Sequence, residues 1–337
     1  MKAIVNTAPG KIEMRELPRP EPGPGEVRIQ TAACGICATD MEIIAGWART
    51  KCPAVPGHEW SGRVDALGQG VDNALLGRPC VAENVLSDGG EVGFEHSGGY
   101  AEYLVTEARN VCLLPDGFPL AAATLVEPLA VSVRALRRMA VRDKRAALIL
   151  GDGPIGLLLL MLLKHAGVAR IVMMGGRERR LALALELGAT QVFNRHEIGS
   201  AVRRGAVGLV AALQQRFPEL FPNVLEASGS ASGMQASLEL AAREGKILVI
   251  GDYGSGQADF PWNYLLHREL ELIGSNASAG AWPEAVRLAT EGALPLERLI
   301  THKFPASQFA EGVELVKGRR PDVIKVVLEW EPSRQGG

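Results

Sequence analysis

Cysteine is scarce in this chain: five among 337 residues. An odd number in a chain of this length is no disulfide framework, and it points to a reducing cytoplasm. Neither charge is in excess, since Lys+Arg 36 against Asp+Glu 38 leaves a formal net charge of −2. Without a basic stripe or a polybasic segment, nucleic acid and membrane surfaces are not expected partners. Long hydrophobic runs are missing as well. The most apolar, IGLLLLMLL (155–163), is closed by Lys164 and His165. It falls short of the roughly 20 residues that span a bilayer and reads as a buried helix. The opening MKAIVNTAPGKIEM reads as a strand, not as the apolar region of a signal peptide. No internal repeat or low-complexity segment occurs.

What is present falls into two textures, as the length leads one to expect. The first 120 or so residues hold short apolar runs (KAIVN, EVRIQTA, RPCVAE, YAEYLVT) broken by Pro and Gly, as in PRPEPGPGE (18–26). That is the pattern of a β domain with many turns. From about residue 121, strand-like runs alternate with helical ones: LAAATLVEPLAVSVRALRRM, AALIL, RIVMMG, ERRLALALELG, VLEAS, KILVIGDYG. Such alternation implies a parallel sheet covered on both faces. Mixed character returns from about 272 and ends in DVIKVVLEW, a strand candidate.

GDGPIG (151–156) fits G-x-G-x-x-G. Alone the pattern is weak, but AALIL precedes it and LLLLMLLKH follows, so strand, glycine turn and helix come in order. Gly151 permits the tight turn, Gly153 a close approach to a pyrophosphate, and Gly156 close helix–strand packing. The helix opens at Pro154, which has no N–H of its own, and from Ile155 on its N-terminus offers amide donors to the phosphates. About 20 residues on, an NAD site carries Asp or Glu. Here Gly175 and Gly176 stand in that place, followed by Arg177, Arg179 and Arg180. Two glycines leave room for a 2′-phosphate, and guanidinium groups can bind it with paired hydrogen bonds. The alternative is a solvated helix start, and Arg179 is the arginine that best fits it. The expectation is NADP(H), held at Gly175, Gly176, Arg177 and Arg180.

ACGICATDMEII (33–44) carries Cys34 and Cys37 in C-x-x-C spacing. A zinc clip lacks a second cysteine pair, and a redox pair lacks the βαβ setting. GHEWSGRVDALGQGV (57–71) supplies His58 and Glu59, which by themselves fit a zinc site and a buried His–Glu pair equally well.

Taken in order, GICATD, GHEWSGRVDALGQGV, GGYAEY (98–103), EPLAV (127–131), GDGPIG, LEASG (225–229) and IKVVL (324–328) resemble the zinc-dependent medium-chain dehydrogenase/reductase family. The resemblance covers essentially the whole chain and is closest in flavour to the sorbitol, polyol and cyclitol branch. It implies an α/β protein: a GroES-like β-barrel catalytic domain (1–127 and 272–337) and a Rossmann doubly wound parallel-sheet domain (128–271). It makes Cys37 and His58 zinc ligands, with Glu59 and Glu127 at the carboxylate positions, and leaves Cys34 a bystander. Asp40 corresponds to the acid that orients the histidine, and Thr39 to the hydroxyl of the proton relay. The implied reaction interconverts alcohol and carbonyl by hydride transfer, in a cleft between the domains, in a homodimer or homotetramer.

Two departures stand out. RPCVAENVLSDGGEVGFEHSGGYAEY (78–103) holds only Cys80 where relatives often carry four cysteines, so one zinc per chain is expected. Glu42 stands where many relatives have His; it can serve as relay base, touch a polar substrate, or be a solvated acid. Trp47 and Trp60 either wall the substrate pocket or fill the β core. With Glu42, they lean toward a polyol, sugar or cyclitol over simple aliphatic or aromatic carbonyls. A zinc-free reductase and a non-catalytic NADP(H) sensor are the competing readings.

Overall fold

The computed structural model describes residues 1–196 and 205–331. The chain divides into two compact units, Met1–Ala130 with Ala279–Gly337, and Val131–Ser278. These boundaries fall a few residues beyond those the family resemblance implied. The helix Val126–Met139 runs through the first, and a strand of the second unit occupies Glu271–Gly274 at the other.

In the first unit, β1 (Lys2–Ala8) and β2 (Lys11–Glu16) form a hairpin. A sheet then combines β3 (Glu26–Ile36), β4 (Glu59–Leu67), β5 (Pro79–Ala82), β6 (Tyr103–Glu107) and β7 (Val111–Leu113) with strands from the far end of the chain. The second unit follows the alternation in the sequence. Its strands are β8 (Ala146–Leu150), β9 (Arg170–Gly175), β10 (Gln191–Asn194), β11 (Phe221–Glu226), β12 (Ala241–Val249) and β13 (Glu271–Gly274). They pair in parallel in the order β10-β9-β8-β11-β12-β13. That is the doubly wound order whose crevice lies outside the carboxyl ends of β8 and β11. Helix Pro154–His165 buries Gly156 through Leu163, so the most apolar run of the sequence is a core helix.

The returning segment supplies β14 (Ile300–Pro305) and β15 (Lys325–Glu329), and the first sheet runs β14-β15-β3-β4-β5-β7, with β6 also on β3. Strand β3 lies between β15 and β4. Val326 faces Ile36, and Gly35 faces Glu59. This register brings the ends of three strands, remote in sequence, to one place. The core beneath is formed by Ile4, Ile29, Cys34, Trp60, Tyr100, Leu104 and Val326 among others.

Candidate metal centre and cofactor site

Strand β3 ends at Ile36, and Cys37 caps the helix Ala38–Ala45. Asp40, fully buried in the first turn of that helix, joins the parts of the site. Its Oδ2 accepts from the Cys37 amide at 2.8 Å and from the Tyr100 hydroxyl at 3.1 Å, while Oδ1 lies 3.4 Å from His58 Nδ1. With Nδ1 turned to Asp40, Nε2 is the imidazole nitrogen left for a metal. Such carboxylate–imidazole contacts fix the ring of a metal-bound histidine. Asn84 donates to the His58 carbonyl at 2.8 Å, and the Phe94 ring lies 4.9 Å from the imidazole. Burial alone would lower the His58 pKa, but Asp40 and Cys37 outweigh it and hold the imidazole well above its usual range.

Cys37, His58 and Glu59 bring one ligand atom each to within 4.8 Å of one another, the one group of this kind among the described residues. Thiolate, imidazole and carboxylate are a zinc donor set, and three protein ligands leave the open position that catalysis needs. The residues therefore fit the metal. Cys34, by contrast, is fully buried under Gly57 and Gly99, and burial pushes its thiol well up. It packs.

Glu59 has a partner that motif reading did not assign. Lys325 Nζ donates to both carboxylate oxygens at 2.7 Å, and both side chains are buried. Burial would lower the Lys325 pKa, yet Glu59 more than offsets this, so the ammonium stays charged. The space exists because position 35 is glycine: a Cβ there would lie 2.2 Å from Glu59 Oε2. The signal was a lone lysine in an apolar strand, which requires a buried counter-charge. Glu127 lies outside the three-residue group, in the first turn of Val126–Met139. Burial pushes its carboxyl up to about 7, with His58 and Lys325 opposing and Glu59 adding to the rise.

Thr39 Oγ1 is 3.7 Å from Cys37 Sγ, and Glu42 is exposed on the same helix. Trp60 is a core residue, its Nε1 donating to Asn84 at 3.1 Å. Trp47 is partly exposed and stands edge-on to Phe94, with their ring centroids 6.2 Å apart. Arg49 covers the Phe94 ring and is paired with Glu91 and Glu95.

In the second unit, Gly151 has φ +125°, and a Cβ there would lie 2.8 Å from the Ala227 backbone. A Cβ on Gly156 would meet Gly151 O at 2.1 Å, whereas Gly153 has nothing within 4 Å. Gly153 caps Pro154–His165 without a side-chain bond, so the first amides of the helix are open to an anion. This cradle fits a dinucleotide pyrophosphate. At the end of β9, Arg177 and Arg180 face Asp152, and Arg179 is exposed. Burial, with Arg177 beside it, lowers Arg180 to about 10. Over Gly176 lie Arg195 and His196, which the motif did not point to.

Residues 23–116 match the model of the alcohol dehydrogenase GroES-like domain, and 154–291 that of the zinc-binding dehydrogenase. Sorbitol dehydrogenase of Macaca fascicularis is 30% identical, over 99% of this chain and 97% of the relative. This chain belongs to the zinc-type medium-chain alcohol dehydrogenase family. The dehydrogenase is also similar to D-arabitol-phosphate dehydrogenase of Enterococcus avium, at 29% identity over 99% of this chain and 98% of that one. The crystal structure of galactitol-1-phosphate dehydrogenase from Escherichia coli matches it with a TM-score of 0.84 at 28% identity, covering 98% and 100% of the two chains. The dehydrogenase is thus an oxidoreductase of CH–OH groups whose family uses zinc and a nicotinamide cofactor. No helix among the described residues is long and apolar enough to cross a membrane.

Proposed function

We propose that this dehydrogenase interconverts a secondary alcohol and a ketone on a polyol, sugar or cyclitol, with NADP(H) and one zinc per chain. The observation that carries the reading is the convergence of Cys37, His58 and Glu59 on one point, with Asp40 behind the imidazole. Cys37 and His58 hold the metal, and the carboxylates Glu59 and Glu127 complete its surroundings. Zinc there supplies Lewis-acid polarisation of the substrate oxygen, and the nicotinamide supplies or accepts the hydride.

The remaining work belongs to the chain. Asp40 orients His58 and ties it to the Cys37 amide. Lys325 holds Glu59 in place through two hydrogen bonds. Thr39 takes the proton of the substrate hydroxyl, and exposed Glu42 passes it to water. Phe94 and Trp47 shield the His58 side of the site. Gly151, Gly153, Pro154, Ile155 and Gly156 hold the pyrophosphate, while Gly175, Gly176, Arg177 and Arg180 receive the 2′-phosphate. The two guanidinium groups outnumber the one carboxylate between them, which supports the phosphorylated cofactor.

The polyol assignment draws on the sorbitol, arabitol-phosphate and galactitol-1-phosphate relatives. The balanced charge and the cysteine usage support a cytoplasmic enzyme. Leu272 is exposed on β13, an edge strand of its sheet, and Trp262 and Leu266 are exposed on the helix Trp262–Arg268 that precedes it in sequence; they suit a homodimer or homotetramer. The test is an NADP+ screen over polyols, cyclitols and simple secondary alcohols, with zinc measured on the same sample. Turnover of polyols with about one zinc per chain is expected. Activity on short aliphatic alcohols alone would overturn the substrate class.

A further inference from the structure

Gly175 lacks the carboxylate that an NAD site carries at the end of its second strand, yet a carboxylate is there. Asp152, the variable residue between Gly151 and Gly153, turns its side chain to the end of β9. A Cβ built on Gly175 would lie 2.6 Å from both Cβ and Oδ2 of Asp152. Asp152 Oδ2 accepts the Gly176 amide at 2.9 Å and the Arg177 amide at 2.8 Å. Its Oδ1 accepts Arg177 Nη1 at 3.0 Å, and Arg180 Nη1 lies 3.9 Å away. The side chain is 5% exposed, so this charge is poorly screened. One strand has given up its acid, and the glycine turn of the neighbouring strand supplies it.

The geometry points to Asp152 as a residue that sets the choice between NADP(H) and NAD(H), by competing with the 2′-phosphate for Arg177. The inference rests on the assignment of Arg177 and Arg180 to the 2′-phosphate. A phosphate arriving beside Gly175 and Gly176 must share Arg177 with Asp152 and bear the repulsion of its charge. The ribose hydroxyl of NAD(H) carries no charge and meets neither cost. Asp152 also braces the turn through the two amides, so it orders the arginines while restraining their pull on phosphate.

The test is binding to the full chain, read by NADPH and NADH fluorescence titrations. Asp152→Asn keeps an acceptor for the turn and removes the charge. NADPH affinity should rise about tenfold while NADH changes less than about twofold. Most of the gain should be lost when Asp152→Asn is combined with Arg177→Ala, leaving only the part due to direct repulsion, as coupling through Arg177 requires. Equal weakening of both cofactors would make Asp152 a brace alone and overturn the inference. So would a tenfold gain that survives Arg177→Ala. NADH binding by the same sample reports whether the cofactor unit has folded, and Asp152→Ser repeats the comparison should the Asn variant fail to bind it. The wild-type NADPH-to-NADH ratio separately tests the NADP(H) assignment. A wild type that prefers NADH would end that assignment, and the shift caused by Asp152→Asn would still decide the role of Asp152.

Discussion

The proposed cofactor site and the proposed metal site are assembled over very different lengths of chain. From β8 to His196, one continuous stretch provides the glycine turn, the open helix start, the arginines and Asp152. The metal site takes Cys37 from the end of β3, His58 and Glu59 from the start of β4, and Lys325 from β15. Glu59 and Lys325 are 266 positions apart. A site made from one strand–turn–helix unit is set by local spacing. A site made where three strands end depends on register, because one residue of slip turns every side chain to the other face.

Breaking that register-dependent pair should have the largest effect. Lys325→Met takes away the buried counter-charge of Glu59, at a cost of about 3–5 kcal/mol. Denaturant unfolding of the wild type and variant would measure it, and a loss under about 1 kcal/mol would show that the pair is not needed for the fold. Gly35→Ala comes next. Its Cβ would meet Glu59 Oε2 at 2.2 Å, and displacing that carboxylate should cost about 1–3 kcal/mol and lower zinc content. Full zinc content with unchanged stability would contradict the register argument.

Removing the metal sharpens the comparison through pH. In chelated protein, burial raises the Glu127 carboxyl to about 7, above its unfolded value of about 4.5. Between these values the folded state binds more protons than the unfolded one. Its stability should therefore fall, on the order of 1–3 kcal/mol, as pH rises from about 4.5 to about 7, and then level off. His58 is raised too, so zinc must displace protons and should bind more weakly at pH 6 than at pH 8. Melting curves of chelated protein and zinc titrations at the two pH values would check this; zinc affinity independent of pH would refute it. The smallest effect is expected at the contiguous site. Arg177→Ala should weaken NADPH about tenfold and NADH little, while Arg179→Ala, at an exposed position, should change neither. Equal losses of both cofactors from Arg177→Ala would sink the phosphate assignment.

The second sheet was legible because each of its strands is a short apolar run set between helical ones, and GDGPIG has its strand before and its helix after. The metal site was legible only in pieces. His58 and Glu59 fitted a ligand pair and a buried pair alike, and the family pattern brought Cys37 to them. Trp60 and Trp47 could not be told apart by sequence: one hydrogen-bonds Asn84 in the core and the other leans on Phe94 beside His58. Lys325 stood in a quoted motif with no role, because its partner is a strand neighbour and not a sequence neighbour. Asp152 was hidden for another reason. The x of G-x-G-x-x-G is free in the motif, and only the folded turn shows where its side chain goes.

Residue order and type alone determined the two textures, the parallel sheet, the glycine turn ahead of its helix and the presence of zinc-type ligands. Periodicity, glycine conformation and thiolate–imidazole chemistry are local properties that need no knowledge of distant contacts. Tertiary structure decided which charges meet. It set Lys325 against Glu59, Asp40 against His58 and Asp152 against Arg177. Each of these pairings depends on how neighbouring strands and turns are placed, and burial then makes each interaction strong enough to matter.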